Sequence, residues 1–303
     1  MKDKKLEAET VREEILRSVR ELKEIRPLLH MIPSYVTAAL CADAISAAGG
    51  RALMAQAKEE MEEITGSADG LAVNMGQPSE EKFLSCRLAL ETAAKKGIPV
   101  MFDPVGAGAS AYRREMMAEL LSIPWSGVLK GNSSEIHTLL TGALAHDGVD
   151  SIGEFSHEQE AFRYLSWEAA RGRNLVIAET GKRDRILWLE DSMGNAPDSM
   201  RLLSLLHDSA RPVVIVGTGC ASGAILGALL AAEGKKAREK EEPRRISGRR
   251  MAVLAAAALS LMAFAEECQE EKGYGSHKAG LLDVLGMPEE EKFGACLKRM
   301  LEI

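Results

Sequence analysis

The stretch RPVVIVGTGCASGAILGALLAA, residues 211–232, predicts a strand, a glycine turn and a helix in direct succession. Glycine lets a backbone turn tightly and approach a ligand, so Gly217 and Gly219 can leave N–H groups pointing outward. The first turn of the helix adds unpaired N–H groups and a partial positive charge. The stretch therefore suits phosphate, or the charge that grows during phosphoryl transfer, although a structural turn before a core helix explains it equally. At this helix N-terminus we expect the thiol pKa of Cys220 to be lowered.

The composition is typical of a soluble enzyme. The 303 residues are 46% hydrophobic, and a formal net charge of −7 argues against a general nucleic-acid binder. Five cysteines lie far apart with no CxxC pair, which favours a reducing cytoplasm. The charged N-terminus is unlike a signal peptide, and the apolar stretch Met251 to Ala265 favours a buried helix over a membrane span. We therefore expect a cytoplasmic protein with no nucleic-acid or membrane partner.

Short apolar strands alternate with helices along the chain. The strand predictions are Gly70 to Met75, Gly97 to Asp103, Gly127 to Lys130 and Leu175 to Thr180. Because these segments are apolar on both faces, they predict an α/β fold with a mostly parallel central sheet flanked by helices on both faces. We expect a single domain over residues 1–303, with residues 1–26 as an N-terminal helical extension. Residues 191–210 look irregular or weakly helical, and the charged residues 235–250 predict a solvated loop.

Polar residues stand where four of the predicted strands end. They are Asn74, Asp103, Lys130 with Asn132 and Glu135 just beyond it, and Thr180. Ligands of parallel sheets bind at the carboxyl ends of the strands, so these side chains should converge with the glycine turn. Asp103 either caps a helix or lies near a metal or phosphate. Asn132 and Glu135 have the spacing of a capping box, and Glu135 could also hold Mg²⁺ through water.

Five stretches of the chain occur in the order and spacing of a known family. They are DPVGAGA at 103–109, KGNSSEI at 130–136, GVDS at 148–151, the Thr180-Gly181 turn and GTGC at 217–220. From about Pro27 to the C-terminal helix, the chain resembles the hydroxyethylthiazole kinase family. The resemblance implies a ribokinase-like fold and homotrimers with active sites between subunits. It also implies transfer of the γ-phosphate of ATP, with Mg²⁺, to the primary alcohol of 4-methyl-5-(2-hydroxyethyl)thiazole, a salvage step in thiamine biosynthesis.

The resemblance implies roles on the substrate side of the site. Cys220 would stand where related kinases of this fold place an aspartate base. The amides of Gly217 and Gly219 would contribute to the anion hole, and Gly217 would also lie beside the substrate. Met54 would line the thiazole pocket. Ser34 occupies a place where the family commonly has an asparagine that touches the thiazole.

The resemblance also implies roles on the nucleotide side. Thr180 and Lys130 would bind ATP, and Glu135 with Asp103 would hold the metal. The chain departs from the family pattern, because Lys130 replaces an arginine, Val216 replaces a threonine, and the turn after Thr180 is basic. Two alternatives therefore stay open: a ribokinase-like kinase of another small alcohol, and a diverged protein that binds nucleotide or thiazole without catalysis.

Overall fold

The computed structural model describes residues 2–142, 158–190, 199–207, 215–243, 245–269 and 273–303, with side chains from Leu6 onward. The GVDS stretch at 148–151 and most of the strand predicted before Gly217, residues 211–214, lie outside these residues.

Helices and strands alternate over most of the described chain. The helices are α1 (Lys2–Ile25), α2 (Ala38–Ala48), α3 (Met61–Ser67), α4 (Glu80–Lys96), α5 (Ala111–Ser122), α6 (Ser133–Thr141), α7 (Glu158–Ala170), α8 (Thr218–Glu239), α9 (Gly248–Glu267), α10 (Tyr274–Gly286) and α11 (Glu290–Met300). The strands are β1 (Leu28–Ile32), β2 (Arg51–Leu53), β3 (Gly70–Asn74), β4 (Val100–Asp103), β5 (Gly127–Asn132), β6 (Leu175–Thr180), β7 (Arg183–Leu189), β8 (Met200–Leu206) and β9 (Leu301–Glu302).

Within the described residues, all nine strands belong to one sheet, in the order β2-β1-β3-β4-β5-β6-β7-β8-β9. In this order, the first six strands, from β2 to β6, pair in parallel with their neighbours. The pairs β6–β7, β7–β8 and β8–β9 are antiparallel. The predicted mostly parallel sheet is confirmed. The prediction of an irregular or weakly helical segment over 191–210 is wrong for its described part, which contains β8, because this strand gains a full antiparallel register with β7.

Alternate residues of the central strands enter two hydrophobic clusters, one on each face of the sheet. Ala72 and Met101 belong to the cluster that contains α1, α2, α8 and α9, whereas Val73 and Phe102 belong to the cluster that contains α4, α5 and α7. Successive side chains of a strand point to opposite faces, so both faces need a helical cover. The prediction of helices on both faces is therefore confirmed. The apolar face of α1 lies in the first cluster, and the single-domain organisation stays a prediction.

Small residues let α8 lie directly on the sheet. A Cβ at Gly227 would lie 3.0 Å from Leu29 Cδ2, and one at Gly223 would lie 3.2 Å from Met101 Cε. At the far end, a Cβ at Gly234 would lie 2.1 Å from the carbonyl oxygen of Asp69, before β3. The helix therefore runs antiparallel to the strands, with its N-terminus at their carboxyl ends.

Two expectations about the helices meet different outcomes. The loop expected over residues 235–250 is shorter than predicted, because α8 continues to Glu239 and α9 begins at Gly248. The buried helix expected over Met251 to Ala265 is confirmed as part of α9. Among the described residues, only α9 is long and apolar enough to cross a membrane, and 89% of its apolar window is buried inside the protein.

Candidate active site

The strand ends named from the sequence meet at one edge of the sheet. Asn74 pairs with Asp103 across β3 and β4, and Asn132 pairs with Thr180 across β5 and β6. Since these strands are parallel, all four residues lie at the same edge. The N-terminus of α8 joins them, because the Asn74 side chain donates to Asp103 Oδ2 at 3.2 Å and to Cys220 Sγ at 3.2 Å.

The turn before α8 requires glycine for two reasons. Gly217 has φ +98°, and a Cβ there would lie 2.6 Å from Thr37 Cγ2. The first main-chain bond of the helix runs from the Ala221 amide to the Gly217 carbonyl oxygen at 2.8 Å. Among the described residues, the amides of Thr218, Gly219 and Cys220 have no hydrogen-bond acceptor. Three N–H groups are therefore available to an anion at this end of the sheet. We call them the amide cradle.

Lys130 lies beneath the amide cradle. Its ammonium donates to the Gly219 carbonyl oxygen at 2.7 Å and lies 3.7 Å from Asp103 Oδ2. Both side chains are almost completely buried. The amine thus bonds groups of the protein itself, and its contact with ATP stays a prediction.

Asp103 and Glu135 are close enough to act on each other. Burial raises the pKa of Asp103 to about 7; Lys130 opposes the rise and the charge of Glu135 adds to it. Glu135 accepts from the amide of Gly106 at 2.8 Å and from the amide of Asn132 at 2.9 Å. The predicted capping box of Asn132 and Glu135 is confirmed. No group of three or more metal-ligating side chains occurs in the described part of the chain, so a cation here would rely on this carboxylate pair.

The expected pKa of Cys220 is wrong in direction. The structure raises the pKa of this thiol, first because the side chain is buried and next because the charge of Asp103 acts on it. Thr37 and Asn74 oppose the rise without cancelling it. A helix N-terminus lowers a thiol pKa only where it outweighs such effects. Cys220 therefore holds its proton at neutral pH.

The remaining predicted site residues lie apart from one another, near the carboxyl ends of the strands. Ser34 is buried just after β1, and its hydroxyl donates to Gln77 Oε1 at 3.0 Å. Met54 follows the edge strand β2 and is partly buried against the core. Thr180 donates to the Gly131 carbonyl oxygen at 3.3 Å.

Sequence reasoning gave no role to four residues that build this edge. Asn74 was recognised only as a strand end, and Thr37, Lys82 and Arg113 were not singled out. Lys82 donates to the carbonyl oxygens of two loops, and its surroundings in the sequence are those of an ordinary charged helix. Only the strand-end position of Asn74 carried a usable signal.

A mostly parallel sheet with a helix N-terminus and paired carboxylates at one edge suits phosphoryl transfer between small molecules, the chemistry of the α/β phosphotransferases. A family model for the hydroxyethylthiazole kinase family matches residues 19–290. The chain belongs to this family, whose members are phosphotransferases that act on an alcohol.

Individual relatives agree with the family assignment. The chain is 32% identical to a hydroxyethylthiazole kinase of Brachyspira hyodysenteriae over 88% of its own length and 89% of the relative. It is 36% identical to one of Rubrobacter xylanophilus, over 72% of this chain and 75% of the relative. A solved hydroxyethylthiazole kinase of Pyrococcus horikoshii superposes with a TM-score of 0.68 at 31% identity, covering 92% of this chain and 94% of that one.

Proposed function

We propose that the protein transfers the γ-phosphate of ATP to the primary alcohol of 4-methyl-5-(2-hydroxyethyl)thiazole, a salvage step in thiamine biosynthesis. The main observation behind this proposal is the amide cradle at the start of α8, which is available to an anion and lies next to Asp103 and Cys220. Phosphoryl transfer needs positioning and charge stabilisation more than covalent chemistry, and preorganised N–H groups supply both. Family membership supports the same reaction.

Cys220 is proposed to position the reacting alcohol rather than to remove its proton. Its raised pKa disfavours a thiolate at neutral pH, so the thiol is a poor general base. The sulfur accepts from Asn74, and in this proposal the S–H group donates to the oxygen of the bound alcohol. A loose transition state places little charge on the attacking oxygen, so positioning is enough.

Asp103 and Glu135 are proposed to hold Mg²⁺ through water, which suits an ion that keeps most of its hydration shell. These two carboxylates fit such an ion. Of the two carboxylate oxygens of Asp103, only Oδ2 has hydrogen-bond partners among the described residues. The negative charge of Glu135 also contributes to the raised pKa of Asp103. A bound cation would relieve that repulsion and neutralise charge on the phosphates. Lys130 and Thr180 are proposed to lie on the ATP side of the site.

We also propose a cytoplasmic homotrimer with active sites between subunits. Tyr35, Val36 and Val216 are apolar side chains more than 60% exposed, next to Ser34 and the glycine turn. Burial against a second copy would remove this apolar surface from water. In that assembly Met54 and Ser34 would line the thiazole pocket.

The direct test incubates the purified protein with Mg²⁺, ATP and the thiazole alcohol, and detects the phosphomonoester by phosphorus NMR and mass spectrometry. The matched control is Gly217→Val, which adds a side chain at φ +98° and against Thr37. Product from the unaltered chain but not from the control supports the proposal. If no product forms at high enzyme concentration, a panel of small alcohols tests the alternative substrate. Ligand-dependent thermal stabilisation without turnover supports the binding-only alternative.

A further inference from the structure

Two cations join the loops that follow β1, β3 and β4. Lys82, in the first turn of α4, donates to the carbonyl oxygen of Pro33 at 2.7 Å and to that of Gly76 at 2.6 Å. Arg113, in α5, donates to the carbonyl oxygen of Met75 at 3.3 Å and to that of Val105 at 2.9 Å. The three loops are therefore tied in sequence across the carboxyl edge of the sheet.

The loops tied by Lys82 are those that carry the substrate side of the site. Pro33 immediately precedes Ser34, and Gly76 immediately precedes Gln77. The side chains of Ser34 and Gln77 bond to each other across the two loops. The backbones approach so closely that a Cβ at Gly76 would lie 2.8 Å from Ser34 Cβ. Gln77 itself has φ +46°, a conformation that a non-glycine residue keeps only when its surroundings fix it.

Lys82 has no carboxylate partner among the described residues, although its side chain is 2% exposed. Burial lowers the pKa of its ammonium to about 8, and the positive charge of Arg113 adds to the effect. The thiols of Cys86 on the same helix and Cys220 on α8 act in the opposite direction. Burying an unpaired charge is costly, and two carbonyl acceptors only partly compensate it. A methionine at this position would avoid that cost but could not hold the two carbonyl groups.

We infer that Lys82 is a positioning residue for the alcohol substrate, because its ammonium fixes the Pro33 and Gly76 carbonyl groups and through them Ser34 and Gln77. The inference rests on the proposed function. Lys82 bonds directly to the Pro33 and Gly76 carbonyl groups and to no group of the amide cradle or the carboxylate pair, so removing the ammonium should disturb the alcohol pocket more than the ATP side.

The test compares Lys82→Met with Lys95→Met, the same substitution at an exposed position of the same helix. For Lys82→Met we expect KM for the thiazole alcohol to rise about tenfold or more, with kcat and KM for ATP changed by less than about threefold. Calorimetric titration of the alcohol without ATP should show the same weakening. Lys95→Met should match the unaltered protein in every measurement.

A pH series on the unaltered protein decides the question if Lys82→Met does not fold. As the ammonium loses its proton above about pH 8, KM for the alcohol should rise while KM for ATP stays level. The inference is overturned if Lys82→Met and the unaltered protein have equal KM values for the alcohol. If Lys82→Met does not fold, the inference is overturned by a KM for the alcohol that stays constant up to pH 9.5 in the unaltered protein. Absence of turnover by the unaltered protein refutes the proposed function instead, and the inference with it.

Discussion

Gly217→Ala tests whether the amide cradle depends on the glycine turn. At φ +98° a Cβ costs about 1–2 kcal/mol. Its contact at 2.6 Å with Thr37 Cγ2 adds about 1–3 kcal/mol of overpacking, because α8 and α2 must move apart. Alanine also restricts the unfolded chain, which returns up to about 1 kcal/mol. We therefore expect unfolding in urea to show a loss of about 1–4 kcal/mol.

The same substitution should act on turnover through displacement of the turn. A shift of about 1 Å in groups that face the reacting phosphoryl lowers kcat/KM by roughly a hundredfold. The assay measures kcat and both KM values for the unaltered protein and for Gly217→Ala, with circular dichroism to verify folding. A variant that keeps its stability and its kcat/KM would refute the role given to this turn.

A double-mutant cycle separates the steric part from the backbone part. Thr37→Ser removes the Cγ2 methyl that a Cβ at residue 217 would meet, while Thr37 Cβ and Leu40 Cδ2 remain at 3.2 Å and 3.4 Å. Combined with Gly217→Ala, it should recover about 1 kcal/mol or more as a coupling energy, with partial recovery of turnover. Strict additivity of the two substitutions would show that the contact with Thr37 is not what excludes alanine.

Four further predictions follow from the site. Cys220→Ala should lower kcat by about tenfold while KM for ATP changes little; an unchanged kcat removes the thiol from the reaction. Glu135→Gln should cost about 1–2 kcal/mol in urea unfolding, since a side-chain amide cannot accept from both the Gly106 and the Asn132 N–H groups, and should raise the Mg²⁺ concentration needed for half-maximal activity. Lys130→Arg should lower the Tm rather than raise activity, because Lys130 is buried between the Gly219 carbonyl oxygen and Asp103, and the overpacking caused by a bulkier guanidinium costs about 1–3 kcal/mol; increased turnover would contradict this. The lowered pKa of Lys82 means that the unfolded chain binds more protons above about pH 8, so stability should rise from there toward pH 10 relative to Lys82→Met, and parallel pH curves would exclude the effect.

The parts of the fold that sequence reasoning predicted are those set by local chemistry. Glycines and small residues at 217–234 determine both the turn and the close approach of α8 to the sheet. The capping box at Asn132 and Glu135 is likewise determined by four consecutive residues. Asn74 and Asp103 were placed at one edge because parallel strands end together. In each case neighbouring residues determine the structure, or a topological rule does.

The parts that were missed depend on contacts between distant segments. The strand β8 has an apolar pattern that does not distinguish it from a short helix, and its pairing with β7 decides the outcome. The thiol pKa of Cys220 depends on burial and on Asp103, which lies 117 positions earlier in the chain. The sequence around Lys82 is typical of an exposed lysine, whereas in the fold its ammonium is bonded to the loops that carry Pro33 and Gly76. No local pattern in the sequence indicates these arrangements.

The geometry of a single peptide group explains how Lys130 can serve a position where the resemblance implies an arginine. In a trans peptide the C=O and the next N–H point in opposite directions. The Gly219 carbonyl oxygen accepts from Lys130 Nζ at 2.7 Å and from Ser222 Oγ at 2.8 Å, so it is held toward the protein interior. The amide of Cys220 belongs to the same peptide group and therefore points the other way, toward the space that an anion would occupy. The same ammonium lies 3.7 Å from Asp103 Oδ2, so one buried charge orients the Cys220 amide of the cradle and also compensates the neighbouring carboxylate. A lysine can thus act on this site by orienting an amide and compensating a carboxylate, without the forked contact to phosphate that an arginine would make.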